Sequence, residues 1–509
     1  MAYEQIAAVD LGSNSFRLEV GRVVDDQIYP LDSVKEPVRL ASGLDANKLL
    51  DEAAQQRALH ALSLFGERLR DFQPGSVRAV ATNTLRVAKN ARDLLPAFEA
   101  ALGFPIEIIG GREEARLIYI GAVHELPASR QKRLIFDIGG GSTEFIIGKK
   151  LDPLLMESLY MGCVSYSLRF FPDGRIDARR FAEAEVAAAS EISLIAHAYK
   201  AFGWGEVVAS SGTARAIADL LEINALNPGG VSGITRGGLA SLRAQLIRAG
   251  STANLKLAGL RADRVPVLAG GLAIMSAIVS TLQIEHLVYS EGALRLGVLY
   301  DLLGRFQHHD MRDATVAQFM RRYQVDLRQA ERVERDALTL FGQLVAIDRP
   351  EAEDEVRFLR WAARLHEIGL SIAHSGFHKH AAYIIANADM PGFSRKDQER
   401  LAQLVLKQRG KLEKLPTASD SDPLWRLVVC LRLAALFNRS RDDVPMPAGV
   451  LRQMPGGFGL DLAASWLSEN PLSAAALAGE AQTWQRLGMT LRIRRRAMAS
   501  STLGEPPDE

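Results

Sequence analysis

One pattern occurs twice in this chain, 127 residues apart, and it constrains the fold more than any other feature. In the first copy an apolar strand ends at Asp10, and Gly12 and Ser15 follow. In the second copy an apolar strand ends at Asp137, and Gly139 and Ser142 follow at the same offsets. Both copies continue into another apolar strand. Two such units in register predict a duplicated domain that holds a ligand between its halves.

The second copy has the composition of a phosphate-binding turn. Three consecutive glycines, Gly139 to Gly141, allow the backbone to approach an anion and to direct several N–H groups toward it. Asp137 and Glu144 flank these glycines. Two carboxylates would repel a phosphate unless a cation lay between them, so the pattern predicts Mg²⁺. The alternative is that the aspartates only form turns, by accepting hydrogen bonds from backbone N–H groups.

The rest of the chain alternates strands with helices up to about Leu303, which predicts an α/β fold. Two further turns of small residues precede predicted helices, at Gly212-Thr213 and at Gly270-Gly271 after the predicted strand 265–268. A strand, a small-residue turn and a helix N-terminus form an arrangement that binds anions. Close packing is the other explanation for these two turns. Beyond residue 305 the apolar spacing is helical, and strands return after residue 445.

Composition excludes some classes of partner. With a net charge of +1 over 509 residues, the chain has no overall attraction for nucleic acid, so any polyanion site must be local. The two cysteines, Cys163 and Cys430, are too few for a disulfide framework and indicate a reducing, cytoplasmic location. We expect no membrane-spanning segment. Peripheral attachment to a membrane stays open.

Several motifs in order resemble the exopolyphosphatase / guanosine pentaphosphate phosphatase family. They are AVDLGSNSFR, ATNTLRVAKN, GREEARLIYIG, FDIGGGSTEFIIG, MGCVS, SSGT, LAGGLAI and WAARLHEIGLSIAHSGFHKHAAYII, and they run from about residue 6 to about residue 440. Within the family, the HSGFHKHAAYII segment is most similar to bacterial exopolyphosphatases.

The resemblance implies four domains. Residues 1–122 and 123–304 would be actin-like (ribonuclease-H-like) domains, residues 305–444 an all-helical HD-like domain, and residues 445–509 a small α+β domain. It also implies hydrolysis of terminal phosphate from polyphosphate with Mg²⁺, with K⁺ as a second cation, by a homodimer. The alternatives are 5′-phosphate hydrolysis of guanosine pentaphosphate, phosphate transfer to a nucleoside diphosphate, and a sensor without activity.

Site residues follow from the same resemblance. Glu114 matches the catalytic carboxylate, and Asp137 and Glu144 match the acids around the metal and the attacking water; the repeat adds Asp10 to the metal site. Spacing alone does not separate Glu114 from its neighbour Glu113. The predicted phosphate-binding residues are Gly12, Ser13, Asn14, Arg86, Gly139, Gly140, Gly141, Ser142, Thr143, Gly212, Thr213 and Gly270.

The predicted helical domain contains many basic residues. His366-Glu367 and His374 resemble part of a metal-dependent phosphohydrolase motif, but Glu367 replaces an aspartate, so we expect no metal centre there. We predict instead a basic track for polyphosphate, although a charge run is usually a solvated face. The track consists of His378, Lys379, His380, Lys407 and Lys411.

Overall fold

The computed structural model describes residues 3–24, 27–306, 310–347, 352–412 and 422–496. The chain forms two compact units. Unit 1 comprises Met1–Met311 and Pro391–Arg395, and unit 2 comprises Arg312–Met390 and Lys396–Glu509. Unit 1 therefore contains both of the ranges predicted to be actin-like.

Unit 1 is built on two mixed sheets. The first sheet has the order β3-β2-β1-β4-β5, with strands β1 (Gln5–Leu11), β2 (Phe16–Val24), β3 (Gln27–Glu36), β4 (Val77–Ala81) and β5 (Ile106–Ile108). The second sheet has the order β10-β11-β9-β6-β7-β8, with strands β6 (Lys132–Ile138), β7 (Thr143–Lys149), β8 (Asp152–Leu159), β9 (Glu206–Ser210), β10 (Ile234–Thr235) and β11 (His286–Tyr289).

The two sheets repeat one topology. In the first, β1, β2 and β3 are antiparallel neighbours, and β4 and β5 continue in parallel with β1. In the second, β6, β7 and β8 are antiparallel, and β9 and β11 continue in parallel with β6. Asp10 pairs with Arg17 across the first hairpin, and Asp137 pairs with Glu144 across the second. The duplication predicted from the sequence pattern is confirmed.

Helices cover the sheets. In unit 1 they are α1 (Glu52–Arg68), α2 (Asn83–Val87), α3 (Ala91–Leu102), α4 (Gly111–Glu125), α5 (Cys163–Phe170), α6 (Ala178–Phe202), α7 (Ser211–Ile223), α8 (Arg236–Ala249), α9 (Leu268–Leu282) and α10 (Leu294–Phe306). Apolar residues of α4 and α10 share one core with strand residues of both sheets, including Ala8, Val80, Ile135 and Val208. Because α4 lies in this shared core, its rotation about its own axis is fixed by packing on two sides.

The segment around residue 265 differs from its prediction. Val265–Val267 is a short 3₁₀ helix that leads into α9, so no strand is present and Gly270 lies inside the helix. A short apolar run fits a strand or a buried helix equally well, which explains the error. By length and composition alone Val265–Leu282 could span a membrane, but 72% of it is buried within the protein. Its apolarity is that of a core helix.

Unit 2 is mainly helical. Its helices are α11 (Met311–Arg322), α12 (Leu327–Leu344), α13 (Glu353–Leu365), α14 (Phe377–Asn387), α15 (Arg395–Lys407), α16 (Leu424–Phe437), α17 (Ala464–Glu469) and α18 (Pro471–Leu487). Strands β12 (Gly449–Met454), β13 (Gly457–Ala463) and β14 (Thr490–Arg496) form a three-stranded sheet in that order. A buried Trp425–Trp484 pair packs edge to face between α16 and α18.

Candidate active site

The two repeated turns face each other across a cleft in unit 1. The cleft has a volume of about 310 Å³. Of the predicted site residues it is lined by Asp10, Gly12, Ser13, Asn14, Glu114, Asp137, Gly139, Gly140, Gly141, Ser142, Gly212 and Thr213. It therefore lies beyond the carboxyl ends of β1, β6 and β9, where ligands bind in open α/β sheets.

The two turns approach each other closely, since a Cβ atom on Gly140 would lie 2.9 Å from the Cβ of Ser13. A Cβ atom on Gly141 would lie 2.1 Å from the Asn83 side-chain nitrogen, so any larger residue at position 141 would push Asn83 away. Ser13 completes the contact, since it accepts a hydrogen bond from the Thr84 hydroxyl at 2.7 Å. Thr82, Asn83 and Thr84 lie at the start of α2, where capping residues are common, but the N-cap residue Thr82 makes no side-chain cap hydrogen bond. They line or support the cleft instead.

In both turns the carbonyl groups accept hydrogen bonds from backbone amides of other segments, so that the N–H groups of the turns are available to a ligand. The carbonyls of Gly139 and Gly140 accept from the amides of Cys163 and Val164 at 2.9 and 3.0 Å, at the start of α5. The carbonyls of Ser13 and Asn14 accept from the amides of Ala41 and Arg39 at 2.9 and 2.8 Å.

The amides of residues 140–142 and 12–15 donate to no other group within the described ranges. Successive backbone N–H groups that point into a concavity form an anion site, and here two of them share one cleft.

Asp10 and Asp137 end the equivalent strands β1 and β6. Asp137 accepts a hydrogen bond from the Ser210 hydroxyl at 2.7 Å, whereas Asp10 Oδ1 is buried and has no partner among the described residues. Burial raises the pKa of Asp137 to about 6, and the charge of Asp10 contributes to that rise. Burial also raises the pKa of Asp10, against the opposing effect of Arg295 and Arg17. Two buried carboxylates that repel each other, one of them with an unpartnered oxygen, favour a bound cation.

Glu114 reaches the cleft from the first turn of α4. Its Oε2 accepts a hydrogen bond from Arg86 at 3.0 Å, and Arg86 also donates to the carbonyl of Ile109 at 2.9 Å. Burial raises the pKa of Glu114 to about 7, and Asp10 and Asp137 add to the effect, while Arg86 opposes it. A carboxylate with a pKa near neutrality that faces a phosphate cleft is suited to act as a general base.

Glu113, the neighbour that spacing could not exclude, points away from the cleft. It accepts two hydrogen bonds from Arg116, both at 2.8 Å, and one from the Gly392 amide at 2.7 Å. Arg116 and Arg78 in turn contact Asp301 at 2.5 and 2.6 Å. Glu113 is therefore part of a buried ion-pair network that holds α4 in place.

Four predicted site residues do not line the cleft. Arg86 contacts Glu114, and the pKa of Glu144 is raised well above its ordinary value by burial and then by the charge of Glu114. Both therefore lie beside Glu114, outside the cleft lining. The Thr143 hydroxyl donates to the Met161 carbonyl at 2.6 Å and is fully buried.

Gly270 is the clearest error among them. A Cβ atom there would lie 2.6 Å from the backbone nitrogen of Ser167, so this glycine permits α9 to pack against α5 and does not contact the cleft.

Sequence analysis missed the cations of the cleft. Arg17, Lys35, Arg215, Arg261, Arg264 and Arg295 all line it. Arg17 had a local signal, since it lies directly opposite Asp10 in the β1–β2 hairpin. The others come from distant segments without a motif. Asp263 pairs with Lys35 at 2.9 Å and with Arg261 at 3.3 Å, which holds these cations at one side of the cleft.

The predicted polyphosphate track lies in unit 2. Lys379 and Lys411 are exposed, and His378 and His380 are half-buried. Lys407 does not fit the prediction, because it is buried and its Nζ donates to the Gln403 side chain at 2.9 Å. It was read as part of a charged surface, but it lies on the inward face of α15.

The carboxylates of the cleft are too few to hold a metal ion by protein ligands alone, but they are enough for Mg²⁺ that is also bound by water and substrate. Within the described ranges no group of three or more His, Cys, Asp or Glu side chains could hold a metal ion. Mg²⁺ is usually bound by one or two carboxylates, with water and substrate phosphates completing its shell. Asp10 with its unpartnered Oδ1 and Asp137 fit that description.

The duplicated sheets and the cleft between them define an actin-like enzyme of the class that acts on phosphate groups. Residues 19–306 match the Ppx/GppA phosphatase family, and residues 311–481 match domain III of Ppx/GppA phosphatase. The chain therefore belongs to the Ppx/GppA phosphatase family, whose members are hydrolases of phosphoanhydride bonds.

Individual relatives are similar over nearly the whole chain. A guanosine-5′-triphosphate,3′-diphosphate pyrophosphatase of Aeromonas hydrophila is 40% identical over 491 residues, which cover 96% of this chain and 98% of that protein. A protein of the same name from Vibrio atlanticus is 37% identical over 492 residues, covering 96% and 97%. Among solved structures, an exopolyphosphatase from Cytophaga hutchinsonii has a TM-score of 0.52 at 24% identity, covering 59% of this chain and 98% of that one. This last likeness supports the fold alone.

Proposed function

We propose that this protein removes the terminal 5′-phosphate of guanosine 5′-triphosphate 3′-diphosphate (guanosine pentaphosphate) by hydrolysis. The observation that carries the proposal is the identity of 37–40% over 96% of the chain with two proteins named for that substrate. The sequence motifs favour polyphosphate, with this nucleotide as the alternative. Full-length similarity reverses that order.

The lining of the cleft supports a highly charged nucleotide as substrate. Besides the amide-lined turns, six basic side chains line it, and guanidinium groups match phosphate oxygens well. Arg17 makes no ion pair within the described residues, and the other five pair with carboxylates at 2.7–3.9 Å, from which phosphate groups would draw them. At its α7 side Tyr289, Asp219 and Glu291 also line it. An aromatic ring can stack on a base, and carboxylates can accept from the N–H groups that guanine presents. Polyphosphate has neither a base nor donors of this kind.

The reaction follows from the positions of the acids and amides. Glu114 accepts a proton from a water molecule, whose oxygen attacks the terminal phosphorus in line with the bond that joins it to the next phosphate of the nucleotide. That bond breaks, orthophosphate leaves with the water oxygen, and the remaining nucleotide keeps the bridging oxygen. The amides of the two turns, with Arg17 and Arg295, stabilise charge on the transferred group. Mg²⁺, held by Asp10 and Asp137, would neutralise further phosphate charge.

Glu144 and Arg86 have supporting roles in this proposal. Arg86 orients Glu114 through their 3.0 Å hydrogen bond. Glu144 accepts from Ser158 at 2.8 Å, and its pKa is raised by burial and then by the charge of the neighbouring Glu114. A requirement for K⁺ and a homodimeric assembly stay predictions.

Phosphate release from three substrates tests the proposal. The full-length protein, with Mg²⁺ present, would be assayed on guanosine pentaphosphate, on GTP and on long-chain polyphosphate at equal concentrations of terminal phosphate. We expect kcat/KM to be highest for guanosine pentaphosphate, by at least about tenfold, because only this substrate uses both the base and the second phosphate group. A higher kcat/KM for polyphosphate would reject the proposal in favour of exopolyphosphatase activity.

A further inference from the structure

A second polar cavity lies entirely within unit 2. It has a volume of about 230 Å³. Its walls come from the starts of α12 and α14, from the segment that follows α13, from the loop after α15, from the C-terminal half of α16 and from the middle of α18. His366, Glu367 and His374, the remnants of the phosphohydrolase-like motif, are part of the lining. No role in the proposed hydrolysis involves this cavity.

A buried ion pair builds the cavity wall. Arg432, which is 5% exposed, donates to both carboxylate oxygens of Glu480 at 2.5 and 2.7 Å. It also donates to the carbonyls of Lys407 and Gly410 at 2.7 and 3.2 Å, and so fixes the loop that carries Arg409. Trp484 donates its indole N–H to Glu480 at 2.8 Å. The wall is therefore rigid, and Trp484 is linked to it by one hydrogen bond.

Positive charge exceeds negative charge in the lining. Four arginines line the cavity but only two carboxylates do. Arg432 is neutralised by Glu480, and Arg441 by Glu367 at 2.7 Å. Arg409 and Arg439 have no ion-pair partner in the part of the chain that the structure describes. Both have exposed surface at the cavity mouth, and the Arg409 guanidinium lies over the Phe377 ring, 5.6 Å from its centroid.

The excess positive charge lowers the pKa values of neighbouring basic groups. Burial lowers the pKa of Arg439, and the charges of Arg409 and Arg432 lower it further. Burial likewise lowers the pKa of His378, with Lys379 and then Arg409 adding to the effect. Like charges held together in this way are destabilising unless an anion lies between them. The same field disfavours a metal cation beside His366, whatever the motif resembles.

We propose that this cavity binds a phosphoryl anion, with Arg409 and Arg439 as its charged ligands. The planar guanidinium fork matches phosphate oxygens in a bidentate manner, which an isolated lysine cannot do. The cavity is smaller than the roughly 300–1,000 Å³ of a typical small-molecule site, so it suits one or two phosphate groups and not a whole nucleotide. The anion is either free orthophosphate or the end of a longer phosphate chain.

Fluorine NMR of labelled tryptophans can distinguish binding at this cavity from binding at the cleft of unit 1. The protein has five tryptophans, and 5-fluorotryptophan labelling gives each one a separate resonance. A Trp484→Phe variant assigns the reporter that touches the cavity wall, and Trp204 reports from unit 1. Orthophosphate and tripolyphosphate would be titrated separately into the full-length protein, with a chelator present to prevent hydrolysis.

We expect saturable movement of the Trp484 resonance. An Arg409→Gln/Arg439→Gln variant should require at least about tenfold more ligand, since two charge-assisted contacts are lost. The control is Arg321→Gln/Arg495→Gln, which removes the same charge from exposed positions of unit 2 outside the cavity lining and should behave as wild type.

Two results would overturn the proposal. One is an unmoved Trp484 resonance with either ligand, and the other is an equal loss of affinity in the control and in the cavity variant. Comparison of the two titrations identifies the source of the anion. Tighter binding of orthophosphate indicates a site for free phosphate, and tighter binding of tripolyphosphate indicates a site for the end of a chain.

Discussion

Replacement of Glu114 by glutamine should slow the enzyme and stabilise it at once. The residue is 7% exposed, and the pKa of its side chain is raised to about 7 from an ordinary value of 4.5. Glutamine keeps the shape and resembles the protonated acid, but it cannot accept a proton from water. Loss of a general base typically reduces the rate by roughly 10²–10⁴-fold. The expected effect on kcat falls in that range.

The stability change follows from the same pKa. Because the folded protein binds the Glu114 proton more tightly than the unfolded chain, stability falls as the pH rises from about 4.5 through about 7. Each pKa unit corresponds to about 1.4 kcal/mol, so ionised Glu114 lowers the free energy of unfolding by about 3 kcal/mol above pH 7. Glu114→Gln should recover most of that at pH 8 and almost none at pH 4.5.

Chemical denaturation at the two pH values, together with phosphate release, measures both effects. Glu113→Gln is the matched control, one residue away in the same helix. It breaks the buried pairing with Arg116 and should lower the free energy of unfolding by about 3 kcal/mol. If Glu114→Gln destabilised the protein at pH 8, or stabilised it equally at both pH values, the argument from burial would fail. A rate near wild type would refute the role of Glu114.

Three further results are expected. The kcat/KM of the wild-type protein should rise with pH and reach half its plateau near pH 7, as Glu114 loses its proton; a profile that is flat between pH 6 and 8 would contradict this. Gly141→Ala should reduce kcat by at least about tenfold, because the new methyl group displaces Asn83, which lines the cleft beside the second turn; it is checked by steady-state kinetics, with circular dichroism to verify folding. Tyr289→Ala should raise KM for guanosine pentaphosphate by roughly tenfold, because the stacking of one base is lost, and should leave KM for polyphosphate unchanged. Equal effects on both substrates would contradict stacking of the base on Tyr289.

Local patterns were sufficient for the phosphate turns. A strand, a glycine turn and a second strand are encoded by consecutive residues, so Asp10 to Ser15 and Asp137 to Ser142 could be placed from the sequence. Where the pattern was ambiguous the prediction failed. The apolar run at Val265 is compatible with a strand and with a buried helix, and the structure shows that Gly270 serves helix packing.

What the sequence by itself determined is the duplicated architecture, the two facing turns and the set of acids near them, because each depends on neighbouring residues and on the period of a strand. Spacing left Glu113 and Glu114 undecided and the family resemblance favoured Glu114, but only the tertiary structure gives the physical reason why Glu114 faces the cleft. Glu113 and Glu114 are about 100° apart around α4, and the packing of that helix between two sheets turns Glu114 into the cleft and Glu113 into an ion-pair network. The cations of the cleft likewise come from segments far apart in the chain, and only folding brings their charges together.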